Sequence, residues 1–502
     1  MTLKKRKITF IVIFAGVLGF VALLYFPASR LLEIFRTHEY QYSYFPAKEV
    51  LNASVAQGEP AIAVPILMYH GVLVQGELGT NTTREEFISQ MEMLKREGYQ
   101  TISVAEFDQY QQGTFILPPK PIILTFDDGR KDSFYTVDEV FKKLGFKATI
   151  FIASIKPNTN DAFYLSWNEL KAVKQTNRWE IEAHGRHSHD KVQIDEKGSI
   201  GRYLSSRIYD PVNELEDVES FKKRVEEDYK DSVDDLYTNL GITARYYAVP
   251  LNDYGEEDSN YPEGMAHNKE LTKKYFRAAY IESLSDGHTA KETFYNYADS
   301  NPYSLKRLEV KGMTTEELKY ALEKFAPSKA EATFPVIDES SHDFNRKEVV
   351  YGKLDAFPEK LIVSPVSPST AARILLGDKG WKDYKLEVEI NRGIAREAWL
   401  VLNYLDEDNL ILIGWDSANI NIIEIINGTE KVVYNSDFLS KDNDSVRVSA
   451  TIKDSYLSVF FDGVQLLKRY HTSIPRGAPG FGVWDPKGNS VTLTSLQITE
   501  SK

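Results

Sequence analysis

The sequence predicts an α/β domain built on a parallel sheet, followed by an all-β sandwich, behind an N-terminal transmembrane helix. Three patterns in its 502 residues carry this reading. Short apolar runs alternate with helix-period segments from about Val64 to Val249, as in a parallel sheet, open or closed into a barrel, with covering helices. From about Thr333 the period falls to two, as in Tyr384 to Ile390 and Ser445 to Ile452, with Asn427-Gly428 and Asp462-Gly463 as turns between strands. Ile8 to Phe26 is uncharged and mostly apolar, about long enough to cross a ~30 Å hydrocarbon layer as a helix.

In chain order, residues 1–7 carry Lys4-Lys5-Arg6-Lys7, which predicts a cytoplasmic tail and an outward-facing remainder. The span 8–26 reads as a retained anchor, because it exceeds a usual signal-peptide core and no small-x-small cleavage site follows. Residues 27–62 lack a sustained apolar period and read as a stalk. A domain over 63–330 opens with a strand from Val64 to His70 and a helix from Arg84 to Glu97, whose Phe87, Met91 and Leu94 share one face. Strands follow at 121 to 126, 148 to 153, 179 to 183 and 245 to 249. Helices are expected near 134 to 144, 167 to 175 and 218 to 240. Residues 335–502 form the sandwich.

A formal charge of −13 argues against a nucleic-acid surface, which needs a concentrated basic face. With no cysteine, neither disulfides nor thiol chemistry nor cysteine-type zinc sites are available, a composition that suits an exported protein.

Three strand ends finish in polar or unusual residues: Asp127-Asp128-Gly129, then His184-Gly185-Arg186-His187-Ser188-His189-Asp190, then Pro250-Leu251-Asn252-Asp253. In a parallel barrel these ends converge on one face. Adjacent carboxylates repel unless a cation or shared proton relieves them, so Asp127 and Asp128 can divide proton transfer from metal binding. One Asp with two His around an open position suits a divalent catalytic metal, with zinc favoured by imidazole ligands. Either His187 or His189 can accompany His184.

Thr125-Phe126-Asp127-Asp128-Gly129, with His184 and Tyr246-Tyr247-Ala248-Val249-Pro250, resembles the polysaccharide deacetylase family, carbohydrate esterase family 4, over about residues 63–325. The resemblance implies a distorted (β/α) barrel, with Asp127 as general base and Asp128 and His184 as metal ligands. Position 188, where the usual second histidine stands, is Ser. The five-residue spacing to His189 is similar to the branch that deacetylates poly-β-1,6-N-acetylglucosamine, as are Pro65 to His70, Phe87 and Gly98-Tyr99, which favours His189 over His187 as a ligand. The family's late Leu-x-His acid has no counterpart between Tyr303 and Val310, leaving His70 as a candidate substitute. Pro250 and Leu251 are implied substrate neighbours, with a Leu251 backbone N–H for the oxyanion.

The C-terminal part looks like the concanavalin-like jelly rolls found beside carbohydrate enzymes. Of Trp381, Trp399, Trp415 and Trp484, most are expected in the core, and Trp484 is the candidate sugar platform. The expected function is a membrane-anchored, zinc-dependent N-deacetylase of an extracellular N-acetylglucosamine polysaccharide. The alternatives are a peptidoglycan or chitin-type deacetylase, and a surface glycan-binding protein that has lost activity.

Overall fold

The computed structural model describes residues 44–501 except 75–78, 160, 213, 256–258, 284, 286, 329, 335–346 and 438–444. The expected membrane span at 8–26 lies outside the described residues, among which no helix is long and apolar enough to cross a membrane. The chain divides into two compact units after Leu322.

Seven parallel strands close a barrel in the first unit: β1 (Ala63–Tyr69), β2 (Pro121–Phe126), β3 (Ala148–Ile152), β4 (Trp179–Ala183), β5 (Tyr246–Ala248), β6 (Ala278–Glu282) and β7 (Leu305–Glu309). Each pairs in parallel with its sequence neighbour, except that β1 pairs with both β2 and β7, which closes the barrel. Every residue of β1 and of β2 is buried. That is why both read as near-continuous apolar runs with no alternation.

Helices begin where their caps dictate. Thr83 accepts from Glu86 N at the start of α1 (Arg84–Arg96), which buries Phe87, Met91 and Leu94. Ser166 and Glu169 form a reciprocal capping box for α2 (Trp167–Gln175). Asp217 caps α3 (Val218–Leu240), and Gly241 ends it in the left-handed conformation, φ 62°. The helix expected over 134 to 144 is instead two short ones, Lys131–Phe134 and Asp138–Leu144. The break holds Thr136 and Val137, β-branched residues that favour a helix less. Part of the expected stalk is also packed: Val50 is fully buried and the Tyr44 hydroxyl donates to Glu92 on α1 at 2.8 Å. Val50 lies within a single helical turn, Lys48–Leu51, too short for its apolar period to be read.

The second unit consists of two antiparallel sheets whose inward residues, Val388, Ile390, Val448 and Ala450 from one and Leu400, Ile413 and Phe481 from the other, share one core. Its first strand, Ala332–Phe334, pairs with Val491–Glu500, so the sandwich begins before residue 335. Asn427 and Gly428 both have positive φ, as a tight hairpin turn between right-twisted strands requires. Trp381 and Trp415 are buried, whereas Trp484 is 36% exposed at the end of strand Ala478–Trp484, one residue before the turn expected to hold it.

Candidate active site

β2 delivers the two aspartates to the carboxyl-terminal rim of the barrel. Asp127 N donates to Tyr69 O at 3.0 Å, extending the pairing of β1 and β2 by one residue. The chain then reverses through Asp128, φ 73°, and Gly129, φ 72°. Glycine is needed at 129, since a Cβ there would approach Ile152 Cδ1 to 2.7 Å. Aspartate tolerates the left-handed region better than most residues, so Asp128 can turn away from its neighbour.

The histidine loop follows β4. His184 N donates to Ile152 O at 2.9 Å, and the ring Nδ1–H donates to Ala248 O at 2.8 Å. That carbonyl fixes the tautomer and leaves Nε2 unprotonated, facing the aspartates. Gly185 turns the chain at φ 73°. Asp228, buried on α3, accepts from the backbone N–H groups of Arg186 at 3.1 Å and His187 at 2.6 Å, and Arg186 Nε donates to Asp235 at 3.1 Å. The helix thus clamps the loop. Ser188 donates to His184 O at 2.8 Å and closes the loop on itself.

The consequence is that His189 turns toward His184, their ring centres 4.7 Å apart, while His187 turns outward to Asp190 at 2.8 Å and lies against Tyr203. One ligand atom from each of Asp128, His184 and His189 lies within 4.8 Å of the other two. Asp128 Oδ1 is 3.8 Å from His184 Nε2 and 3.5 Å from His189 Nε2. These gaps are too long for good hydrogen bonds and near those expected between donors that share a tetrahedral ion at ~2.0–2.2 Å. Burial lowers the pKa of His184, and that of His189 to about 4 with the His184 ring adding to the effect, so both rings are neutral near pH 7, as ligation requires. The donor set therefore fits a divalent ion of the zinc type.

Asp127 sits beside this trio, its Oδ2 3.9 Å from His184 Nε2. Its carboxylate is gripped by Arg307 of β7 through two bonds, of 2.7 and 2.8 Å, and both side chains are buried. Burial alone would raise Asp127, but the Arg307 guanidinium and then the His184 ring outweigh it and hold the carboxyl at about 2. Asp127 is accordingly an oriented, permanently ionised acceptor of modest basicity.

His70 follows β1, with Nδ1 3.7 Å from Glu309 Oε1 of β7. Pro250 is buried at the end of β5, and Leu251, φ 57°, stands 48% exposed. Trp484 belongs to the other unit. The barrel thus brings Asp127, Asp128, His184 and His189 together, with His70 and the Pro250 turn following other barrel strands. Sequence reasoning missed Arg307, Asp228 and Glu309. Arg307 did leave a signal, a lone guanidinium inside a short strand, whereas Asp228 is one of many acids on α3.

Residues 116–265 match the family model described as polysaccharide deacetylase. A Bacillus subtilis protein named as a polysaccharide deacetylase is 32% identical over 128 residues, which is 26% of this chain and 44% of that protein. The poly-β-1,6-N-acetyl-D-glucosamine N-deacetylase of Escherichia coli is 24% identical over 192 residues, 35% of this chain and 27% of the relative. This chain therefore spans less than half the length of either relative. Among solved structures, a de-N-acetylase from Aggregatibacter actinomycetemcomitans aligns over 52% of this chain and all of its own, with 18% identity and a TM-score of 0.44. Residues 116–265, the stretch that matches the polysaccharide deacetylase model, supply both aspartates and all three histidines of the loop.

Proposed function

We propose that this chain is a metal-dependent N-deacetylase of N-acetylglucosamine units in a cell-surface or extracellular polysaccharide, anchored by residues 8–26 with its bulk outside the cell. The observation that carries the reading is the buried Asp127–Arg307 pair set beside Asp128, His184 and His189. A divalent ion held by Asp128, His184 and His189 would supply Lewis acidity toward the acetamide carbonyl and the attacking water.

The residues do the rest. Asp127, kept ionised by Arg307, accepts the proton of the attacking water. The two bonds from Arg307 hold this carboxylate in a fixed orientation. His70, whose Nδ1 lies 3.7 Å from Glu309 Oε1, is assigned as the group that protonates the leaving amine. Bond cleavage then yields acetate and a free amine, and the neutral glycan becomes cationic. The exposed Leu251 turn flanks the acetyl group.

The name of the Escherichia coli relative and the His184/His189 spacing favour a β-1,6-linked substrate over chitin or peptidoglycan. Acetate release from matched β-1,6-linked, β-1,4-linked and peptidoglycan-derived N-acetylglucosamine oligomers tests this. The β-1,6 oligomer should be deacetylated at least about tenfold faster in kcat/KM than the others, a difference worth about 1.4 kcal/mol in the transition state. Preference for a β-1,4 oligomer would reassign the substrate. The absence of a Leu-x-His sequence from Tyr303 to Val310 favours a second reading, a glycan-binding protein without activity, which predicts binding but no acetate from any of the three.

A further inference from the structure

The outer face of one sandwich sheet carries a hollow of about 500 Å³, well away from Trp484 in the strand pattern. Side chains alternate along each strand, so the residues that do not enter the core line up across neighbouring strands. Phe460, Ser449, Glu387 and Gln497 are successive partners on four adjacent strands and form one outward row. Arg447 and Glu389, paired across two of those strands, stand in the next row, with Nε 3.0 Å from Oε2. Phe460 is 39% exposed, and its ring is the one large apolar group among the hollow's outward side chains.

We propose that this hollow binds a stretch of the polysaccharide chain in its neutral, N-acetylated form. This rests on the reading that the substrate is an N-acetylglucosamine polymer. The rows present hydrogen-bonding groups at intervals of about 4.8 Å, the separation of adjacent strands and close to the length of one pyranose unit. A chain laid across the strands therefore meets a donor or acceptor at each sugar, with the Phe460 ring at one end for stacking. The charges choose between acetylated and deacetylated chains. Glu387 is paired with Lys385 at 2.9 Å and Glu389 with Arg447 at 3.0 Å, so neither carboxylate stands alone to attract free amines. Paired charges of this kind still offer lone pairs and N–H groups to hydroxyls and acetamides.

The consequence is a protein that stays on acetylated regions and releases regions it has already converted. The test uses the purified full chain and two probes, a soluble N-acetylglucosamine oligomer long enough to span four strands and its fully deacetylated counterpart. Binding is measured with Asp128→Ala in the background, so that the catalytic rim contributes little and nothing is turned over. The acetylated probe should bind, the deacetylated one at least about tenfold more weakly, and Phe460→Ala or Glu387→Ala should each weaken the acetylated probe about tenfold. Both side chains reach solvent, so neither substitution threatens the core, and acetate release from a disaccharide should stay unchanged in chains that retain Asp128. Equal binding with and without Phe460 and Glu387, or preference for the deacetylated probe, would overturn the proposal. Loss of acetate release with groove binding intact would count against the catalytic reading alone.

Discussion

Asp127→Asn is expected to keep the metal and lose about 10²–10⁴-fold in rate, the usual contribution of a positioned base. It should also lose stability, for a reason that the sequence alone did not disclose. The carboxylate is paired with Arg307, whose side chain is fully buried, and an amide there removes the charge that grips the guanidinium. Breaking a buried pair in this way typically costs ~3–5 kcal/mol. The two effects separate in the double variant Asp127→Asn with Arg307→Met, which should recover much of the stability and none of the rate. Near-normal turnover in the single variant would show that Asp127 only braces the barrel. The same pair sets an acid limit. Because the folded pKa of Asp127 is depressed to about 2 from an ordinary value of 3.8, its contribution to stability is complete above 3.8 and is lost as pH falls through about 2. Denaturant titrations between pH 5 and 2 should show Arg307→Met losing less stability than the parent over that range.

The second large effect concerns the ligands. Asp128→Ala, His184→Ala and His189→Ala should each remove both metal and activity, since two remaining donors hold a divalent ion poorly. His187→Ala should retain both, because its imidazole is turned to Asp190 and Tyr203. Metal analysis of the four purified variants decides the matter. Full occupancy in His189→Ala together with loss in His187→Ala would mean that the loop rearranges when the ion binds. A subtler variant, Asp228→Asn, keeps one acceptor for the Arg186 and His187 N–H groups and should weaken metal affinity without abolishing it.

Much of the barrel was legible because its strands are buried on both sides and its helices carry explicit caps, as at Ser166 and Asp217. The aspartate pair was legible for a related reason: charge after an apolar strand has to sit at the rim. The histidine loop was only half legible. Whether His187 or His189 faces Asp128 depends on Asp228 and Asp235, whose bonds to the loop span 41 and 49 residues and leave no local pattern. Arg307 left a lone guanidinium inside a short strand as a signal, but its role could not be read because its partner is 180 residues distant. The split helix at 131 to 144 reflects tertiary contacts overriding an amphipathic period, with Lys131 drawn inward to Glu169 at 3.0 Å.

The most direct measurement is metal content and acetate release on one preparation of the chain before and after chelation. The account predicts about one tightly bound divalent ion per chain, acetate from an N-acetylglucosamine oligomer, loss of both on chelation, and return of both on adding zinc. Acetate release that survives complete removal of the ion would contradict it.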